Sequence, residues 1–93
     1  MRIEAKLEEL DLVLPEPMQS PSGLELSFSW VRGNRAYVSG HIPLNADGSI
    51  AQPLGKVGAE VSAEEGYEAA RRAALAHLGS LKRTLGDLDR ISA

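Results

Sequence analysis

The chain has 93 residues, of which 43% are apolar and 25% are charged, and its formal net charge is −3. This length suits one small domain over residues 1–93, and the absence of cysteine excludes disulfides and thiolate metal sites. No apolar run approaches the roughly 20 residues that cross a bilayer, and the charged N-terminus does not fit a secretory signal. We therefore expect a cytoplasmic protein without a membrane partner. Its basic residues are not clustered, so nucleic-acid binding is a minority expectation.

The first predicted element is a short amphipathic helix over about residues 2–11. Ile3, Leu7 and Leu10 fall on one stripe of this helix. The proline-rich stretch 15–23 then cannot continue a helix, because proline removes backbone donors and restricts the residue before it. We expect a loop there.

A β-hairpin is predicted over about residues 24–43. In its first strand the alternation places four large apolar residues on one face, which we expect to be buried: Leu24, Leu26, Phe28 and Trp30. Gly33 and Asn34 supply the turn, since both tolerate the positive φ of tight hairpins. In the second strand Ser39 and His41 are two residues apart, so we expect them to share a face.

The most regular predicted element is a long helix over about residues 63–85. Ser62 and Glu65 form a capping box at its start, and Gly86 suits its C-cap. Six residues at helical spacing form an apolar stripe that we expect to pack on a sheet: Tyr67, Ala70, Ala74, Leu78, Leu81 and Leu85. The far side is expected to hold Arg72, Ala76, Gly79 and Arg83. One hairpin is too small a sheet for this stripe, so either residues 49–60 add strands or another chain supplies them.

The pair Ser39 and His41 is the first candidate for chemistry. A nucleophilic serine needs a base within hydrogen-bonding reach and a third group to orient that base, and no carboxylate is identifiable for the last role. We therefore favour the simpler interpretation, in which both are polar residues on an exposed or interface face. Gly40 is either a bulge that bends the strand or a place where a carboxylate ligand approaches the backbone, and the sequence leaves these two even.

Metal and phosphate chemistry have little support in the sequence. His77 lies at the edge of the apolar stripe, and a packed or partly exposed histidine is the favoured interpretation. With two histidines and no thiols, no ligand spacing predicts a metal site. The segment 55–58, GKVG, lacks the pattern of a phosphate-binding loop.

Several segments, in order, resemble the Rid family, the reactive intermediate deaminases also called YjgF or L-PSP endoribonuclease-like proteins. They are IEAKLEELDLVLPEP, WVRGNRAYVSGHIPL and GKVGAEVSAEEGYEAARRAALAHLGSLKRTLGDLDRI, which together cover nearly all of the chain. The second is similar to the family's Gly-Asn turn followed by a VSGQIPL-type strand. The third resembles the segment that leads into the family's first long helix and continues along it.

This resemblance implies an α+β, chorismate-mutase-like fold and a homotrimer with ligand pockets between subunits. It implies hydrolysis of reactive enamines and imines of the 2-aminoacrylate type to 2-oxoacids and ammonia, without a metal or organic cofactor. The substrate is then a small molecule with a carboxylate. Ser39, Gly40, His41 and Leu26 match the family's substrate-pocket positions, where the backbone and a small side chain matter more than a serine nucleophile. No catalytic residue is assigned.

The chain departs from the family pattern in three ways. His41 stands where many members have glutamine, and Leu26 stands where many deaminating members have a pocket tyrosine. The resemblance also covers only the N-terminal half of the family's domain, without the arginine that binds the substrate carboxylate. We therefore expect weak or absent deaminase activity. The alternatives are a noncatalytic module that binds a small ligand or oligomerises and, with less support, a ribonuclease.

Overall fold

The computed structural model describes residues 2–18 and 28–92. In chain order the elements are helix α1 (Arg2–Glu9), strand β1 (Ser29–Arg32), strand β2 (Arg35–Val38) and helix α2 (Ala63–Leu85). A single 3-10 turn, Leu88–Arg90, follows them. The chain is thus an α+β protein with a short helix, a two-stranded antiparallel hairpin and a long helix. In the described part of the chain, no helix is both long and apolar enough to span a membrane.

Helix α2 begins and ends where the sequence predicts. The Ser62 side chain accepts a hydrogen bond from the Glu65 amide, and the Glu65 side chain accepts one from the Ser62 amide, which completes the capping box. At the other end Gly86 has a φ of 82°, and its amide donates to the Lys82 carbonyl. The predicted bounds of this helix, 63–85, are therefore confirmed. Helix α1 ends at Glu9, close to the predicted bound.

The hairpin is confirmed near its turn, but its second strand is shorter than predicted. The register pairs Ser29 with Val38 and Arg32 with Arg35 around a two-residue turn in which Gly33 has a φ of 63°. Strand β2 ends at Val38, so the prediction that the strand continues to residue 43 is wrong. The chain leaves the sheet after Ser39, because the next residues turn toward α2. Residues 24–27 of the predicted first strand lie outside the described residues.

The buried face of the hairpin is not the predicted one. Ser29 is 7% exposed and faces α2, whereas Trp30 is 51% exposed on the opposite face, where it stacks on Tyr37. The hydroxyl of Ser29 donates to the Ser80 carbonyl at 3.1 Å and lies 2.5 Å from the Thr84 hydroxyl. These contacts satisfy a small polar group against the helix and leave the large aromatic rings outside.

The face of α2 that packs inside is also the one predicted to be its back. The buried residues of α2 are Ala76, Gly79 and Ser80, while Tyr67 of the predicted inner stripe is 75% exposed. Small residues allow a close approach here, since a Cβ on Gly79 would lie 3.3 Å from the Pro15 carbonyl oxygen. The prediction that the apolar stripe is covered by the sheet is therefore wrong for its N-terminal part.

Residues 43–61 form a connection that adds no further strand. They contain two isolated bridges, Leu44 with Ile50 and Val57 with Val61. Leu44, Ala51 and Val61 are buried and form much of the small core. The sequence left two sources for additional strands, residues 49–60 or another chain. Residues 49–60 do not supply them.

The two termini of the described chain are joined around one buried leucine. Leu88 is fully buried, and its amide donates to Glu4 Oε1 at 2.9 Å. In return, Asp89 accepts hydrogen bonds from the amides of Arg2 and Ile3, at 3.0 Å for Ile3. Asp89 thus satisfies donors at the start of α1 that a helix leaves without internal partners.

The molecule exposes more surface than its length predicts. Its accessible surface is 6755 Å², whereas a folded monomer of this size exposes about 5,200 Å². Its radius of gyration is 14.3 Å, against about 12 Å for a compact domain of 93 residues. The excess, about 1,500 Å², is roughly twice what one partner buries in an ordinary protein interface, about 800 Å².

Candidate functional site

Ser39 lies directly after β2, and its side chain is bound to the neighbouring strand end rather than to His41. Its amide donates to the Phe28 carbonyl at 2.9 Å, and its hydroxyl donates to the same oxygen at 3.2 Å. The hydroxyl proton is thus directed away from the His41 ring. The structure therefore does not bring Ser39 and His41 together as a nucleophile and its base. Ser39 is exposed, as the simpler interpretation expects, whereas His41 is half-buried against α2. Ser39 and Gly40 are both exposed.

Gly40 borders open space. A Cβ added to this residue would meet no atom within 4 Å. Its φ does not lie in the left-handed region, so the backbone conformation does not itself require glycine. In the described part of the chain, nothing packs on the backbone here, and a ligand or another chain has room to approach it.

His41 is the centre of the polar contacts next to Gly40. Its Nδ1 lies 2.7 Å from the Ser39 carbonyl oxygen, and its Nε2 lies 2.7 Å from the Ser80 hydroxyl. Because a carbonyl only accepts, Nδ1 carries the proton in this arrangement and Nε2 accepts from Ser80. The ring also lies near Phe28 and His77, with ring centroids 5.3 and 4.3 Å away. These contacts fix both the tautomer and the orientation of the imidazole.

The surroundings of His41 favour its neutral form. Burial lowers the pKa of the imidazole below its ordinary value of 6.5, and the charges of His77 and Arg83 lower it further. The hydrogen bond to the Ser39 carbonyl opposes part of this effect. His41 is thus a neutral group that ties the Ser39–Gly40 segment to α2, and both of its ring nitrogens are already engaged.

Ser80 is a residue of this cluster that the sequence did not single out. Its hydroxyl donates to His41 and accepts a hydrogen bond from Arg83 Nη2 at 3.3 Å. The pair Ser80 and His41 has the contact of a nucleophile with its base. However, Ser80 is only 5% exposed, so its hydroxyl is positioned to hold His41 rather than to attack a substrate. The sequence signal that could have identified Ser80 is its position beside Gly79 and three residues before Arg83. The apolar pattern assigned that face of α2 to solvent.

His77 and Arg83 complete the cluster, and each already uses at least one side-chain nitrogen in a hydrogen bond within the chain. His77 Nδ1 lies 3.0 Å from the Ala73 carbonyl, one turn earlier in α2, and the residue is half-buried, as predicted. Arg83 donates from Nη1 to the Pro15 carbonyl at 3.2 Å. These bonds commit Arg83 to joining α2 to the segment after α1.

A separate group of three carboxylates lies at the joined termini. Oxygens of Glu4, Asp87 and Asp89 lie within 4.8 Å of one another, the arrangement within the described residues that could hold a cation. Glu4 Oε1 also accepts from Lys82 Nζ at 3.2 Å. The bond from the Leu88 amide is the main reason why the pKa of Glu4 is lowered. The amide and ammonium donors account for the position of these carboxylates.

Of the four predicted pocket residues, Ser39, Gly40 and His41 lie in one segment, in which Ser39 and Gly40 are exposed and His41 is half-buried. Leu26 lies outside the described residues. The segment is anchored on one side by Phe28 and on the other by Ser80. Chemically, this arrangement presents a small side chain, an unobstructed glycine and a neutral imidazole with a fixed tautomer.

Comparison with known proteins finds similarity to a protein about twice as long as this chain. The chain is 34% identical over 90 residues to Protein TCP17 of Trypanosoma cruzi, and the match covers 97% of this chain and 54% of that protein. The chain thus spans about half the length of this curated relative. No family profile matches the chain. No solved structure matches it.

Proposed function

We propose that the chain is a Rid-type protein and that Ser39, Gly40 and His41 form one wall of its substrate pocket. The observation that carries this proposal is the open space at Gly40 beside a fixed, neutral imidazole. The resemblance of WVRGNRAYVSGHIPL to the family's pocket strand supports it. The family's reaction is hydrolysis of an enamine or imine, in which water adds to the C=N carbon and ammonia leaves.

In this proposal, His41 is a positioning residue and not the general base. Both ring nitrogens are used, one by the Ser39 carbonyl and one by the Ser80 hydroxyl. The imidazole holds the exposed segment in place, and the backbone of Gly40 forms the surface that the substrate meets. A neutral ring adds no cation to attract the substrate carboxylate. Since Arg83 is bound to Pro15 and Ser80, we expect weak substrate affinity and little or no turnover from these 93 residues.

The chorismate-mutase-like fold and the homotrimer are part of the same proposal. The excess of accessible surface and the exposed N-terminal part of the α2 stripe support assembly with further copies or with a complementary segment. The excess over a compact monomer, about 1,500 Å², is large enough for an interface of ordinary size. We further propose a cytoplasmic location and no nucleic-acid substrate.

A second function, binding of a small ligand without catalysis, is favoured by one specific observation. Both ring nitrogens of His41 are engaged and Arg83 is bound to Pro15 and Ser80, so neither side chain is free to activate a water or to hold a substrate carboxylate. A pocket wall of this kind is able to bind a 2-oxoacid without turning over an imine.

The test compares binding and turnover in the same chain. Titration of the ¹⁵N-labelled protein with 2-oxobutyrate should shift the amide signals of Ser39, Gly40 and His41. Gly40→Leu should abolish these shifts without unfolding the protein, because its side chain enters open space. Ala59→Leu, at an exposed turn residue, is the matched control and should leave them unchanged.

Turnover is measured as ammonia released from 2-aminoacrylate generated in the assay. Turnover that Gly40→Leu removes and Ala59→Leu preserves would establish the enzyme. Binding with the same mutational pattern but without turnover would favour the noncatalytic module. Shifts that avoid residues 39–41, or that survive Gly40→Leu, would contradict both functions at this site.

A further inference from the structure

A groove of about 580 Å³ lies between β2 and the C-terminal part of α2, and its lining does not include Ser39, Gly40 or His41 of the candidate pocket wall. Its walls are apolar on both sides: Val31, Ala36 and Val38 from the sheet, and Leu81, Leu85 and Ile91 from the helix and the segment after it. Val31, Val38 and Ile91 are 42%, 41% and 37% exposed. The described residues therefore leave the apolar floor of this groove open.

The groove lies beside β2 because α2 packs more extensively on β1 than on β2. Ser29 of β1 is the residue that contacts α2 closely, through Ser80 and Thr84. On β2, Val38 is opposite Ser29 in the register but has no comparable cover.

In the ranges 2–18 and 28–92, no backbone group bonds to the outer edge of β2. The amide of Ser39 donates to the Phe28 carbonyl, so residues 28 and 39 form a hydrogen-bonded pair. In an antiparallel hairpin, hydrogen-bonded pairs alternate with pairs that share no hydrogen bond. Ala36 and Val38 belong to the other pairs, and their N–H and C=O groups therefore point outward, away from β1. A strand that bonds to these groups would place alternate side chains over Leu81 and Leu85.

The polar residues of the groove carry one sign of charge. Arg35 and Arg90 are among the lining residues, and none of the described lining residues is acidic. Arg35 forms no salt bridge with any residue in the described ranges 2–18 and 28–92. Arg90 is held at the groove by a bond from Nη1 to the Leu85 carbonyl at 2.8 Å. The groove is thus a cationic site in a chain whose net charge is −3.

We propose that this groove binds an extended segment of another protein by strand addition to β2. The segment has apolar side chains at alternate positions, which enter the groove, and a carboxylate that pairs with Arg35 and Arg90. A second copy of β2, with the sequence RAYV, fits less well because it brings another arginine and no carboxylate. This inference does not depend on the proposed pocket at Gly40.

The test uses blocked six-residue peptides of alternating valine and threonine that end in glutamate, with lysine in place of glutamate as the charge control. The glutamate peptide should bind saturably, and roughly tenfold more tightly than the lysine peptide, since each exposed ion pair contributes up to about fivefold. R35Q combined with R90Q should remove this preference. Both substitutions are at surface charges, so the variant should keep its fold.

Two N-methylated forms of the glutamate peptide distinguish strand addition from general apolar binding. Methylation of the alternate amides that face β2 should abolish binding, whereas methylation of the other set should change it by no more than about twofold. On the protein, A36P removes one outward amide, which an edge strand tolerates, and should weaken binding roughly tenfold. Retention of the α2 helical signal in circular dichroism shows that this variant is folded.

Four results would overturn the proposal: no saturable binding, equal binding of the glutamate and lysine peptides, equal loss with both methylated forms, or undiminished binding to A36P. A fifth concerns the occupant. If the peptides do not bind and A36P converts an oligomeric chain into a monomer, then the groove holds a second copy of this chain.

Discussion

The two faces of α2 differ in residue size and in burial. The apolar pattern predicts that the face with larger residues is buried, but the face with small residues is the buried one. The face with small residues, Ala76, Gly79 and Ser80, is buried against β1 and the Pro15 segment. The face with larger apolar residues begins at Tyr67, which is 75% exposed, and becomes half-buried from Leu78 to Leu85. The contact within the chain therefore depends on the close approach of small residues, and the larger apolar stripe is available for a contact outside the described chain.

The largest effect expected from this difference is on assembly. Replacing two exposed stripe residues together, Tyr67→Lys and Ala74→Lys, should convert an oligomer into a monomer, because the lysines place charges in the proposed interface. Sedimentation equilibrium at micromolar concentration measures the mass. The matched control carries the same charge change at exposed turn residues, Ala46→Lys with Ala59→Lys, and should remain oligomeric. A wild-type chain that sediments as a monomer and unfolds cooperatively would show that the stripe needs no cover.

The buried face should respond to added volume in the folded chain itself. Gly79→Leu should destabilise the protein by about 2–3 kcal/mol, because the side chain is forced against the Pro15 backbone. Ala70→Leu, on the exposed stripe, should change stability by less than about 0.5 kcal/mol. Urea unfolding followed by circular dichroism measures both values. Equal effects at the two positions would mean that the small-residue face is not the packed one.

A smaller effect should appear in the dependence of stability on pH. The folded-state pKa of His41 is lowered, so the unfolded chain binds a proton first as the pH falls. The contribution of the neutral imidazole to folding stability is complete above the pKa of the unfolded state, about 6.5. It is lost as the pH falls from there through the lower pKa of the folded state. Urea midpoints between about pH 7.5 and pH 5 should decline in the wild type and decline less in His41→Gln. An identical slope in the two proteins would remove His41 from the packing between the hairpin and α2.

Local signals in the sequence were sufficient for the bounds of the long helix and for the turn of the hairpin. The capping box at Ser62 and the glycine at position 86 act within a few residues, so they do not depend on the rest of the molecule. Gly33 likewise supplies its own turn geometry. The ends of the long helix and the turn of the hairpin depend on local backbone hydrogen bonds and φ values, which residues close in sequence determine.

The faces that become buried could not be predicted from the same sequence. Periodicity identifies which residues share a face, but it does not identify which face meets the rest of the chain when an apolar surface stays uncovered. The hydroxyls of Ser29 and Ser80 are buried because each finds a specific partner on the opposite element. The contact of His41 with Ser80 spans 39 residues and depends on that docking, so no local motif announces it.

The joined termini have a consequence for the order in which the chain acquires its structure during synthesis. The amides that begin α1 are satisfied by Asp89, and Ile3 is separated from it by 86 positions. A helix of eight residues is marginal by itself in water. On the ribosome, α1 therefore emerges long before its cap exists and must wait for Leu88 and Asp89 to be translated. N-terminal structure is then among the last to become stable, in the reverse of the direction of translation.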